Sequence, residues 1–263
     1  MQGLSNQERE FISIFSANEA VAVDANDIIE IRSISKEAAN QILSRLARKG
    51  WLQRVKHGIY TIVPLSSLSA NPIIEEVWPL VIKLFKPAFL SGWTAAEHWD
   101  LTEQVFNSVS LVTQNLQRKS IQNISGIRVK VRVQKEERFF GMTNIWFGSN
   151  QVEIADPSRL IIDILDMPEF GGGGRHTTDI VKAYWNSDMH NADLILEYAI
   201  RYGKGSVLKR LGFLAEAFSA PVSKKWIREC NRHIKTGISD LDPGSPSKGR
   251  ISGKWNLRIN LPV

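Results

Sequence analysis

Cysteine is almost missing from this chain, with Cys230 its single thiol. An intrachain disulfide and a multi-cysteine zinc site are both excluded, and the composition suits a reducing compartment. Long apolar runs are missing as well. None approaches the ~20 residues of a membrane span, and the first residues lack the basic-then-apolar pattern of an export signal. The expectation is a cytoplasmic protein with no membrane partner. The five histidines, His57, His98, His176, His190 and His233, show neither zinc spacing nor a nearby serine or cysteine that would make a nucleophile. Gly171 to Gly174 offers bare backbone N–H groups to a phosphate, but no Lys-Ser/Thr follows, so the run reads as a flexible connector. A metal-dependent nuclease needs converging carboxylates to hold Mg²⁺. Glu153, Asp156, Asp163 and Asp166 are the nearby set, yet Asp156 stands before Pro157 and reads more simply as a helix cap. No cofactor, metal site or catalytic activity is expected.

What the chain has is length and positive charge. Its 263 residues, 43% hydrophobic and 23% charged, allow two units with proper cores, and its net charge of +6 favours a polyanionic partner. The charge is uneven. Up to Ser35, Arg9 and Arg32 face six acids; from Lys36 to His57, six bases face Glu37 alone. From Lys204 to the end, bases outnumber acids twelve to four, which makes a second positive surface plausible.

The basic stretch has a definite architecture. Ser35 is a good N-cap and Gly50 a good left-handed stop, so the spacing predicts a helix between them. Ala39, Ile42, Leu43 and Leu46 share its apolar face, while Lys36, Asn40, Gln41, Ser44, Arg45 and Arg48 point elsewhere. Two β-prone runs, 51–55 and 59–63, follow around the Lys56-His57-Gly58 turn and predict a basic hairpin. Upstream, Ser5 to Glu8 forms a capping box ahead of Leu4, Phe11, Ile12 and Phe15, and a short helix is predicted near Asp24 to Ile31. Three helices and then a hairpin is winged helix-turn-helix order. In that arrangement Ser35, Lys36, Asn40, Gln41 and Ser44 are candidates for base edges, and Arg45, Arg48, Arg54, Lys56 and His57 for phosphates.

Beyond a Pro- and Ser-rich connector at 64–72, the style changes to that of a larger α/β unit with a helical subdomain over 191–234. A helix bent near Pro79 is predicted over 73–85, and strands over 109–113, 127–133, 145–147 and 152–155. The strand at 127–133 alternates strictly, so Arg128, Lys130 and Arg132 form a cationic ladder that either extends a DNA path or faces solvent. The tail at 237–254 reads as a loop before strand-like alternation over 255–261. The fold class is α+β, with a winged helix-turn-helix over 1–65 and a mixed α/β unit over 73–263.

Three stretches of the second unit carry a family likeness: Leu90 to Gln104 (LSGWTAAEHWDLTEQ), Asp156 to Asp163 (DPSRLIID) and Arg210 to Glu216 (RLGFLAE). With the Arg54 to Tyr60 hairpin, and with Asp166 to Phe170 before the glycine run, they resemble the AbiEi family of antitoxins. The resemblance implies a transcriptional regulator of a type IV toxin–antitoxin, or abortive infection, module. Its N-terminal winged helix would bind inverted repeats in its own promoter as a cooperatively binding monomer, and its C-terminal unit would support DNA binding and antitoxicity. The opposing toxin would be nucleotidyltransferase-like, antagonised without a stable complex. Two other functions compete: a protein-binding adaptor that uses the winged helix for docking, and the nuclease.

Overall fold

The computed structural model describes residues 3–17, 20–63, 77–124, 126–148 and 150–263. The connector expected at 64–72, and with it both boundaries expected near it, falls outside them.

The N-terminal unit begins with α1 (Asn6–Ala17), α2 (Ala25–Arg32) and α3 (Lys36–Arg48), followed by the antiparallel pair β1 (Leu52–Lys56) and β2 (Ile59–Ile62). Its helix starts are written locally. Ser5 and Glu8 exchange backbone-to-side-chain hydrogen bonds ahead of α1 (2.8 and 3.3 Å), and Asp24 and Asp27 form a second capping box at α2. Ser35 Oγ accepts from the Ala38 N–H. At the other end of α3, Gly50 adopts φ +80; its N–H bonds the Ala47 carbonyl and that of Trp51 the Leu46 carbonyl. This Schellman pattern turns the chain sharply into the hairpin. Phe11, Phe15, Ile28, Ala39, Leu43, Leu46, Leu52 and Tyr60 pack as one apolar cluster. Val23 adds a single bridge to Tyr60, which ties the start of α2 to the hairpin.

A second, larger cluster belongs to the C-terminal unit. There α4 (Trp78–Phe85) leads into β3 (Ala88–Leu90), α5 (Gly92–His98), β4 (Ser108–Thr113), β5 (Ile121–Ile124), β6 (Ile127–Val133), β7 (Met142–Phe147) and β8 (Asn150–Ala155). These strands form one mixed six-stranded sheet in the order β5-β6-β4-β3-β8-β7. The helices α6 (Pro157–Asp166), α7 (Gly174–Asn186), α8 (Ala192–Tyr202), α9 (Gly205–Ala217) and α10 (Lys224–Arg232) follow. Three short strands, β9 (Ser239–Asp240), β10 (Arg250–Ser252) and β11 (Leu257–Ile259), make a separate small sheet. The helical stretch expected over 191–234 is α8 to α10.

Of the helix expected over 73–85, residues 73–76 lie outside the described residues; Pro79 lies in the first turn of α4, where its missing N–H costs nothing. The glycine run is not a flexible connector but a packed corner. A short 3₁₀ turn over Pro168–Gly171 precedes Gly172 and Gly173, both at positive φ. A Cβ on Gly171 would press on Thr177 and Ile164, and one on Gly174 would collide with Asp242.

Candidate nucleic-acid interface

The polar face of α3 forms a shallow open groove lined by Asn40, Gln41, Ser44, Arg45 and Arg48. Ala39, Leu43 and Leu46 hold the opposite face in the core. Ile42, expected on the packed side, is only partly buried. Ser35, Lys36, Gln41, Ser44, Arg45 and Arg48 are exposed and Asn40 is half-buried. The Asn40 amide donates to the Lys36 carbonyl at 2.9 Å, and Ser44 Oγ lies 3.4 Å from the Tyr60 hydroxyl of the hairpin. Arg45 and Arg48 stand in the last turn of α3, where cations are favoured by the helix dipole.

The base of this face is fixed by a residue that the sequence showed only as half of a capping box. Glu8 is 1% exposed, yet it meets Arg45 Nε at 3.0 Å and Lys49 Nζ at 2.6 Å. The Lys49 ammonium first, and then the Ser5 N–H, hold its carboxyl down at about 2, against the opposing pull of burial. One carboxylate thus caps α1 and anchors two cations of α3. No local pattern links Glu8 with Lys49, because they are brought together only by the packing of α1 on α3.

On the hairpin, Arg54 and His57 are exposed, with Arg54 Nε 3.4 Å from the Lys56 carbonyl. Lys56 is exposed too, and it is already engaged on one side. Its ammonium lies 4.6 Å from the centre of the Phe85 ring and donates to the Leu84 carbonyl at 3.4 Å. It thereby clasps the hairpin to α4. Lys83 makes the reciprocal clasp, donating to the Ala22 carbonyl (2.9 Å) and to Asp27 (2.6 Å).

The cationic ladder on β6 is only partly a surface. Of its three members only Arg128 is exposed. Lys130 donates to the Glu169 carbonyl at 2.8 Å and lies over the Trp93 ring. Arg132 turns into the protein, where it donates to the Asp163 carbonyl (2.9 Å) and the Tyr202 hydroxyl (3.0 Å) and pairs with Asp166. Alternation correctly separated the two faces of β6, but α6 and α8 cover the Arg132 end of the charged one.

The same network occupies Asp163 and Asp166, two of the four carboxylates weighed for nuclease chemistry, while Glu153 is exposed on β8. Arg159 is fully buried, between the Phe89 and Phe140 rings. All five of its N–H donors are used, on Asp163, Gln134 and the carbonyls of Arg138 and Phe140. Asp163 also accepts from Ser91 and Gln134, and Asp166 pairs with Lys204 and accepts from Tyr202. Asp156 caps α6 and accepts from Tyr198, while burial raises its pKa. Guanidinium and hydroxyl donors thus stand where a cation would need free carboxylate oxygens.

Residues 10–63 match the AbiEi antitoxin family of transcriptional regulators. The match spans α2, α3 and the hairpin with most of α1, and it is the family the sequence resembles. No curated protein matches the chain. Among solved structures, the RV2827C protein from Mycobacterium tuberculosis has a similar fold, with a TM-score of 0.62 at 12% identity over 98% of this chain and 92% of that one. The fold is thus shared along nearly the whole chain. Among the described residues no helix is long and apolar enough to cross a membrane.

Proposed function

We propose that this chain is a sequence-specific DNA-binding autorepressor and antitoxin of a type IV toxin–antitoxin module, with residues up to the hairpin acting as a winged helix-turn-helix. The observation that carries this reading is the α3 groove: hydrogen-bonding side chains Asn40, Gln41 and Ser44 at its middle, with Arg45 and Arg48 toward its end, all on a helix face left open among the described residues. A helix of this width fits the major groove of B-DNA, where Asn or Gln can bond adenine N6 and N7 together. Lys36 would reach a base edge, Arg48 and Arg54 would hold phosphates, and His57 would follow the backbone from the hairpin tip. Arg45 enters already oriented by Glu8, so less side-chain freedom is lost on binding.

The family match supports regulation and antitoxicity together. By the same reading, the operator consists of inverted repeats in the chain's own promoter, bound cooperatively by monomers in the cytoplasm. A nucleotidyltransferase-like toxin is opposed without a stable complex. The test is a mobility shift on the chain's own upstream DNA. Asn40→Ala with Gln41→Ala should erase preference for the operator over random duplex, whereas Arg48→Ala should weaken binding to both. A parent protein that shifts operator and random duplex equally would refute the reading.

A further inference from the structure

Strand β7 ends the six-stranded sheet with no strand beyond it among the described residues. Sheet edges are ordinarily kept from pairing by charge, proline, a bulge or shortness. The opposite edge, β5, has only four residues and follows Arg118 and Lys119. β7 has six, MTNIWF, with no charge and no proline, and it pairs with β8 residue for residue from Met142↔Ala155 to Phe147↔Asn150. Its Trp146 is 66% exposed, although a tryptophan offers ~150–250 Å² to a contact.

The hairpin fixes which backbone groups face outward. Phe147 pairs with Asn150 across a two-residue turn, and the Asp156 N–H bonds the Gly141 carbonyl at 2.9 Å. Hydrogen-bonded residues alternate along an antiparallel strand. Gly141, Thr143, Ile145 and Phe147 are therefore the ones bonded to β8, and the N–H and C=O groups of Met142, Asn144 and Trp146 point to the open edge. This row is self-complementary. A second β7 laid antiparallel about a two-fold axis at Asn144 pairs Asn144 with its own copy and Met142 with Trp146, and each pair exchanges two backbone hydrogen bonds. It is the symmetric register that uses all three open residues within the strand. It also sets the Met142 side chain of each copy beside the exposed Trp146 ring of the other, a favourable sulfur–aromatic contact.

Asn144 lines one groove with Asp24, Asn26 and Asp27 at the start of α2, so this edge lies beside the unit that carries α3. Six residues a side fall well short of the roughly 20–30 a side of a stable interface. Such a contact becomes effective once two chains are already held next to each other, because the second step is then intramolecular. We propose that β7 is a two-fold contact, through which two copies of this chain on the arms of an inverted repeat join their sheets edge to edge around Asn144. An isologous contact has the symmetry of such a repeat. Its role on DNA rests on the reading of α3 as a DNA-binding helix.

The test is oxidative cross-linking of the full-length chain, whose native Cys230 is buried. Asn144→Cys sets two thiols across the axis with Cα atoms ~5.5 Å apart, within disulfide reach. Thr143→Cys, also exposed, would face Ile145 of the other copy and lie ~8 Å from its twin, beyond that reach. On a duplex with both repeats, Asn144→Cys should give a reducible dimer and Thr143→Cys should not. Asn144→Lys, which sets like charges opposite each other, should keep the parent's melting temperature and its affinity for a single repeat, yet fill the two repeats independently. With the operator bound, no link by Asn144→Cys, equal linking by Thr143→Cys, or cooperativity kept by Asn144→Lys would each overturn the proposal; the first would leave the edge to a strand of another protein. If the operator is not bound, but concentrated Asn144→Cys alone links and Thr143→Cys does not, the β7 contact stands and the operator reading fails. No link there either would overturn both.

Discussion

Arg132→Ala separates a surface cation from a structural one. Arg132 has a side chain 12% exposed and joins β6 to Asp166 on α6 and Tyr202 on α8. Its loss strands part of a buried acid network, and deleting one partner of such a pair typically costs about 3–5 kcal/mol. Lys204 still pairs with Asp166 and Arg159 with Asp163, which places the expected loss near the lower bound, about 3 kcal/mol. At about 2–4 °C per kcal/mol for a unit of this size, the C-terminal melting transition should fall by roughly 6–12 °C. Operator affinity, read by fluorescence anisotropy at a temperature where both proteins are folded, should stay within twofold of the parent. Arg48→Ala should do the reverse: an unchanged melt, weaker binding, and a salt slope reduced by about 0.9. An Arg132→Ala protein that melts like the parent but binds DNA as poorly as Arg48→Ala would refute the internal role drawn for Arg132.

Glu8→Gln removes the carboxylate that Arg45 and Lys49 share, and should lower the stability of the N-terminal unit by about 1–2 kcal/mol near neutral pH, measured by urea unfolding. Because the folded state depresses this pKa from 4.5 to about 2, the carboxylate's contribution is complete above about pH 4.5 and is lost as the pH falls through 2. Circular dichroism melts between pH 6 and 2 should therefore show an acid limb that is shallower in Glu8→Gln; equal limbs would contradict the clamp. Lys56→Ala should leave the salt slope of operator binding unchanged while removing about 0.5–1 kcal/mol of cation–π contact with Phe85, and a slope lowered as by Arg48→Ala would return Lys56 to the DNA. Gly212→Ala drives a methyl into the buried Trp255 ring. It should cost about 1–3 kcal/mol or abolish soluble expression, and a variant as stable as the parent would show that Trp255 is loosely packed.

Features written by near neighbours were legible in the sequence. The capping residues Ser5 and Ser35, the Gly50 stop and the hairpin around Gly58 each depend on residues within a few positions, and β6 runs over Ile127–Val133 as its alternation indicated. Features set by distant partners were not. Alternation places Arg132 on the charged face of β6 but says nothing of Asp166, which reaches it only when α6 packs over the strand. The glycine run looked loose because the groups crowding it, Ile164, Thr177 and Asp242, come from separate elements. Lys56 and Phe85 meet only once the two units dock. For the candidate site, the face of α3 was readable from periodicity, whereas its anchoring through Glu8, the contact of Lys56 with Phe85 and the inward turn of Arg132 were tertiary facts.

The central claim is that the exposed face of α3 reads DNA sequence. Its most direct measurement is anisotropy titration of parent and the Asn40→Ala, Gln41→Ala variant against operator and random duplex at several salt concentrations. A base-reading face gives the parent a clear operator preference that the variant loses while its salt slope is kept, since the phosphate contacts remain. If parent and variant discriminate equally well, some other part of the chain reads the operator and the central claim is wrong.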